Sequence, residues 1–298
     1  TGHVKTTVPE ILLGGTFELL ATQAHRLNIV HSFRHKDNNH NSAQHAVMTG
    51  HESFGVLDGA PQKEPSVGSM VSALSGPNAN NGMPTYVKLN PLTYDTGAWL
   101  GATHLGYAPS SDLKMTVSEE RFRNRARIVD AIENSDGNMV RGSHLSKSWT
   151  DLRKQAVRVV TGNIDKAFDW KLEDDKTVEK YGAKKNTFGQ SCLTARRLVE
   201  NGAKLVTVVN FGWDMHSDIY SGFKSKSEEV DKGLYGLITD LYERGLDKDC
   251  LIVIATEFGR TPKINATQGR DHWSNVTPLV FAGGCLLYTS DAADEGLG

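Results

Sequence analysis

Three short charged knots in the last third of the chain hold the residues whose types and spacing suit chemistry. Gly212-Trp213-Asp214-Met215-His216 ends one apolar, β-branched run, Leu205 to Asn210. Glu257-Phe258-Gly259-Arg260 ends another, Leu251 to Thr256. Gly269-Arg270-Asp271-His272-Trp273 follows within one loop. Carboxylates and imidazoles arriving from three chain segments have the composition of a hard or borderline metal site. Asp214, His216, Glu257 and His272 are the expected ligands. Around one ion their ligating atoms should lie roughly 3–6 Å apart, given bonds of about 2.0–2.2 Å.

Each of these residues has a plainer alternative. In extended backbone, residues two apart project to the same side, so Asp214 and His216 can reach one ion. They can equally be a capping carboxylate and a surface imidazole. Glu257 is either a ligand or a partner for Arg260. His272 is either a ligand or a loop imidazole packed on Trp273. Arg260, Lys263 and Arg270 add positive charge nearby, and guanidinium forks match phosphate and sulfate oxygens. Solvated surface charge is the other reading of these three. In the first half, Asn39, His40, Ser42 and His45 stand where a polar, His-rich segment enters a helix. Free N–H groups and the helix dipole suit an anion there, although capping or packing would explain each residue singly. Ser42 is a nucleophile only with an activating base or metal beside it.

The elements that must position these groups follow from periodicity. Phe17, Leu20, Ala21 and Ala24 suit a helix, Leu27 to Val30 a strand, and Ala43, Ala46 and Val47 a helix starting near Asn39 to Ser42. Residues 51–83 read as a surface excursion with one helical pattern, Val67 to Leu74. Tyr86 to Leu89 reads as a strand, Gly97 to Gly106 as a loop or cap, and Glu119 to Asn134 and Ser148 to Ala167 as helices. The charged segment Asp165 to Lys185 reads as a solvated face or connector. A helix from Phe188 to Val199, with Gly202 as its C-cap, precedes the strand at Leu205. Another helix, Phe223 to Leu241, separates it from the strand at Leu251, and Pro278 to Ala282 is a final strand. Helices alternating with buried apolar strands predict an α/β fold with a mostly parallel sheet flanked by helices. Ligands in such folds bind at the carboxyl ends of the strands.

Composition sets wider limits. The 298 residues suit one large α/β domain or two small ones. A formal net charge of −2 gives no global basic field for nucleic acid. No apolar run reaches the ~18 residues of a membrane span. Cys192, Cys250 and Cys285 make neither a disulfide framework nor a CxxC metal site. The first two sit in apolar segments, as buried thiols do. No signal peptide is visible, and the chain, beginning at Thr1, reads as truncated.

Five segments together carry a family resemblance: Asn38-Asn39-His40 to Thr49-Gly50-His51, Gly212 to His216, Arg244-Gly245-Leu246, Glu257-Phe258-Gly259-Arg260-Thr261-Pro262 and Gly269 to Trp273. Over roughly residues 8 to 284 the chain is similar to the DUF1501 proteins, grouped with the alkaline phosphatase-like superfamily of sulfatases and phosphomutases. The resemblance implies one domain, residues 1–284, with an incomplete alkaline phosphatase-like core. It implies a divalent metal cofactor, zinc or another, and hydrolysis of small or polymeric phosphate or sulfate esters. With these readings together, His40, Ser42 and Arg260 are the candidate catalytic residues, and Asn39, Arg270 and Asp271 the candidate substrate contacts. The resemblance also implies export to the periplasm or beyond. Three departures stand against it. Glu257-Phe258 replaces an Asp-His pair, no Cys-x-Pro-Ser-Arg sequence supports formylglycine chemistry, and the family's opening strand with its Asp is absent. A non-catalytic protein that binds an anionic glycan on the same fold is the alternative. The tail, residues 285–298, resembles translated sequencing-adapter read-through and reads as foreign to the domain.

Overall fold

Apolar residues recurring at helical spacing between Phe223 and Leu241 fold as part of one 25-residue helix, Ile219–Glu243. The computed structural model describes residues 2–52, 62–78, 81–92, 94–109, 117–135, 144–162 and 164–286. In chain order the elements are β1 (His3–Lys5), β2 (Leu12–Gly14), α1 (Glu18–Ala21), β3 (Leu27–Val30), α2 (His40–Thr49), α3 (Val67–Ser75), β4 (Tyr86–Leu89), α4 (Glu119–Ser135), α5 (His144–Thr161) and α6 (Asp165–Phe168). Then come α7 (Asp175–Lys180), α8 (Thr187–Glu200), β5 (Leu205–Val208), α9 (Ile219–Glu243), β6 (Leu251–Ala255), β7 (Gly259–Arg260), β8 (His272–Trp273) and β9 (Leu279–Gly283). The chain divides into two compact units.

The first unit comprises residues 1–60, 173–196 and 210–298. Its core gathers on α9, where Leu234, Ile238 and Leu241 are buried with Tyr181, Phe188 and Leu193. Two helix glycines permit the close approach. A Cβ on Gly233 would stand 2.7 Å from the Phe188 ring, and one on Gly236 2.7 Å from the Tyr181 ring. Asp231 of α9 caps α1 from outside it, accepting hydrogen bonds from the amides of Leu19 (2.9 Å) and Leu20 (2.8 Å). A four-residue helix leaves such donors without partners of its own. The Arg244-Gly245-Leu246 motif closes α9. Gly245 takes φ +68°, and the Leu246 amide reaches back to the Leu241 carbonyl, a left-handed stop that suits glycine.

The second unit, residues 61–172 and 197–209, packs Met83, Val87, Val159, Ile164, Leu198 and Ala203 into one apolar cluster. Its strands β4 and β5 pair in parallel, Tyr86 opposite Leu205.

The expected mostly parallel sheet flanked by helices does not form. Among the described residues the fold is mixed α/β with small sheets: β1-β2, β4-β5 and β7-β8 are two-stranded, and β3-β9-β6 is three-stranded. Of these only β4-β5 is parallel. The reason lies in partner choice. β5, α9 and β6 follow one another as in a crossover unit, yet β5 pairs with β4 and β6 pairs antiparallel with β9. Strand β6 also leaves one face open, with Leu251 46% and Val253 53% exposed. A parallel strand would be covered on both faces. The charged segment 165–185 differs from expectation as well. It contains α6 and α7 and buries Ala167, Val178, Tyr181 and Ala183. Lys180 in that segment binds the buried Asp240 at 2.6 Å. Cys192 is buried and Cys250 partly so, and burial raises both thiols above the usual range. Apart from Cys285 and Leu286, the tail lies outside the described residues.

Candidate metal centre

The three-stranded sheet explains why distant segments meet. Strands β3 and β6 both run antiparallel to β9, so Val30 and Ala255, their last residues, both stand opposite Leu279. The segment after β3 (His31 to His40), the one after β6 (Thr256 to Arg260) and the one before β9 (His272 to Pro278) therefore leave from one end of the sheet. Hydrogen bonds lock them together. The His35 amide donates to the Ser274 carbonyl (3.2 Å), the Thr277 amide to that of Phe33 (3.1 Å), and the Ser274 amide to Asn38 Oδ1 (2.7 Å). Strands β7 and β8 set Arg260 opposite His272. The segment carrying Asp214 and His216 is pinned by the Arg270 amide to the Met215 carbonyl (3.0 Å) and by Asn265 Nδ2 to the His216 carbonyl (3.1 Å).

Asp214 is the hub. Its Oδ2 lies 3.2 Å from His40 Nε2. Its Oδ1 lies 2.9 Å from His272 Nε2, 3.0 Å from His216 Nε2 and 2.6 Å from Arg260 Nη2. The two Nε2 atoms of His216 and His272 are 3.0 Å apart. His40, Asp214 and His272 each offer a ligand atom within 4.8 Å of the others. Beneath them Phe258, 4% exposed, sets its ring 4.3 Å from that of His272 and 5.0 Å from that of His40. Asp214 and His216 stay open to solvent while His272 and Arg260 are more enclosed. The cluster is thus walled on one side and accessible on the other.

Each imidazole is anchored through its other nitrogen. His40 Nδ1 meets Glu257 Oε1 at 2.7 Å, His216 Nδ1 meets Asp271 Oδ1 at 3.0 Å, and His272 Nδ1 meets the Asn38 carbonyl at 2.7 Å. Carboxylate and carbonyl oxygens only accept, so each Nδ1 carries the proton. In neutral rings all three Nε2 lone pairs then face the Asp214 carboxylate. An acceptor at Nδ1 fixing tautomer and ring orientation is how ligating histidines are usually held. The surroundings are negative: Asp214, Glu257 and Asp271 against Arg260 leave a formal charge of −2 when the imidazoles are neutral. Burial works against the charged form of Asp214, but hydrogen bonds from His272 and His40, donated when those rings carry a proton on Nε2 as well, together with that from Arg260, outweigh it and hold its carboxyl well below the usual range. Hydrogen bonds from His216 and Asn265 lower Asp271 likewise.

The expected residues are placed as follows. Asp214, His216 and His272 meet directly, and Glu257 reaches the group through His40. His40 points into the cluster as a further candidate ligand, and Asp271 orients His216. Asn39 caps α2, its side chain accepting from the Asn41 amide at 2.9 Å. Ser42 is 3% exposed on α2, and among the described residues no hydrogen bond joins it to the cluster. Arg270 turns its Nη1 to the carbonyls of Thr261 and Pro262. Sequence reasoning passed over Asn38, Asn265 and His35, whose Nε2 donates to the Glu257 carbonyl. Asn38 stood in a quoted motif. Nothing local marked Asn265, which donates to Asp271 from six residues away.

The fold and cluster define a mixed α/β protein with a pre-oriented His/Asp centre. The chain matches, over residues 2–287, a family described as a protein of unknown function, DUF1501, and it belongs to that family. Neither a curated protein nor a solved structure is matched.

Proposed function

We propose that the chain is a metal-dependent hydrolase of phosphate or sulfate esters. One observation carries this reading. Three imidazole Nε2 atoms converge on one carboxylate, and each Nδ1 is held by an acceptor. Lone pairs facing a carboxylate need positive charge between them, and one divalent cation supplies it for the whole set. Oxygen and imidazole donors of this kind suit zinc and its neighbours. Asp214, His40, His216 and His272 would hold the ion. Glu257, expected as a ligand, would act through His40 Nδ1. A divalent ion in such a place supplies Lewis-acid polarisation of an ester oxygen and neutralises developing charge.

The chain's own residues would do the rest. Arg260 holds Asp214 Oδ1 with Nη2 and the Arg270 carbonyl with Nη1, which fixes its charge beside the centre, where it would favour a bound anion. Phe258 keeps water from the back of the imidazoles. Ser42 is buried and, among the described residues, makes no hydrogen bond to the cluster, which favours attack by water over a serine nucleophile. The motif likeness to the alkaline phosphatase-like superfamily supports the ester class, as does the anion-matching pair Arg260 and Arg270. Export goes with the same likeness.

Turnover of 4-nitrophenyl phosphate and 4-nitrophenyl sulfate with added zinc or manganese tests the reading. Hydrolysis of either, lost on chelation and in Asp214→Ala, is expected. Tight anion binding without turnover would instead indicate a binding protein on the same framework.

A further inference from the structure

A cleft next to the centre has the lining of a binding site. Ile219, Tyr220 and Phe223 at the start of α9, together with Ile264, Thr16, Arg270 and the glycine backbone of the β1-β2 hairpin, enclose about 240 Å³. Ile219 and Phe223 are four residues apart and share one helix face. Phe223 is gripped edge-on by Phe17 (6.1 Å) and Trp213 (5.7 Å), and Trp213 directly precedes Asp214. Arg270 joins cleft and centre. Its amide bonds the carbonyl of Met215, between Asp214 and His216, and two residues beyond it stands His272. Nη1 of Arg270 is committed to the carbonyls of Thr261 and Pro262. Nε and Nη2 have no acceptor among the described residues, and neither has Thr16 Oγ1 a hydrogen-bond partner there.

We propose that this cleft holds an aromatic group of the ester, with the free edge of Arg270 facing the anionic linkage. The assignment of ends rests on the hydrolase reading above. A volume of about 150 Å³ suffices for benzene in a protein interior, so this one has room for a fused pair of rings. Flat rings stack against Tyr and Phe. A sugar fits the lining less well, because Ile219, Phe223, Ile264 and the Tyr220 ring make most of it apolar, and hydroxyls set against them would lose hydrogen bonds on entry.

Calorimetric binding of two non-hydrolysable ligands, 1-naphthylmethylphosphonate and methylphosphonate, to the zinc-supplemented chain tests the proposal. The naphthyl compound should bind at least about tenfold tighter, the difference one well-placed aromatic contact produces. Tyr220→Ala, at an exposed position, and Ile264→Trp, which fills the cleft, should each remove most of that advantage and leave methylphosphonate unchanged. Equal affinities, or an advantage that survives both variants, would overturn it. Chelation separates the two readings. A naphthyl advantage that persists while methylphosphonate ignores chelation supports the cleft and counts against the metal centre.

Discussion

His40 and Glu257, separated by 217 positions, meet at 2.7 Å through His40 Nδ1 and Glu257 Oε1. The contact turns His40 Nε2 toward Asp214. Glu257 therefore acts on the centre by aiming an imidazole. Glu257→Gln keeps an acceptor and should retain most zinc affinity, whereas Glu257→Ala should lower it by about 10–100-fold, the usual effect of losing such a support. Titration against a competing chelator measures the difference.

Arg260 donates to Asp214 Oδ1 at 2.6 Å, the oxygen that also faces His216 and His272. It competes with a cation for that oxygen and offers charge to an anion. Arg260→Met should leave zinc affinity equal or higher and cut ester kcat/KM by about 10²–10³-fold, the range for a lost charge-stabilising donor. Parallel metal titration and steady-state kinetics check both halves.

Asp231 ties α1 to α9 through the amides of Leu19 and Leu20. Asp231→Ala leaves both donors without their partner and should cost about 1–3 kcal/mol of stability, read from urea unfolding. Burial raises this carboxyl above its ordinary value, outweighing the two amide bonds. A raised folded-state value means that the native chain binds a proton more readily than the unfolded one. Stability from this group is therefore fullest below the unfolded value and declines as pH rises through the folded one. Wild type should lose stability relative to Asp231→Asn across that window.

Phe258 is 4% exposed and packs under His40 and His272. Phe258→Ala should destabilise by about 3–5 kcal/mol, as large-to-small core changes do, and should also weaken zinc binding by freeing both rings. Phe258→Leu, which keeps most of the volume, should spare most of each. Thermal unfolding with and without zinc separates the two effects.

Much of the centre was legible because its residues cluster at the ends of apolar runs, where strands stop. Asp214 and His216 are two apart and converge on one point, but through a tight turn, the Met215 amide donating to the Trp213 carbonyl at 2.9 Å, and not through the extended backbone expected. His40 was noticed for its place at a helix start, but its aim at Asp214 depends on pairing between β3, β9 and β6, which no local pattern encodes. The same pairing defeated the parallel-sheet expectation. Apolar runs at Leu205 and Leu251 look alike in sequence, yet one joins β4 and the other β9. Strand direction is set by partners far along the chain, and the open face at Val253 is invisible in a run of apolar letters. Residues 165–185 misled for the reverse reason. Their charges are real, but Lys180 pairs with Asp240, and the apolar residues between the charges are what the core takes.

The most direct measurement is zinc content and affinity after equilibrium dialysis, for wild type beside Asp214→Ala and His272→Ala. One equivalent per chain is expected for wild type at micromolar zinc, with affinity falling by more than about 100-fold in either variant, since each removes a direct ligand and not merely its support. A wild-type chain that retains no zinc or other divalent ion, or variants that bind as wild type does, would contradict the metal centre.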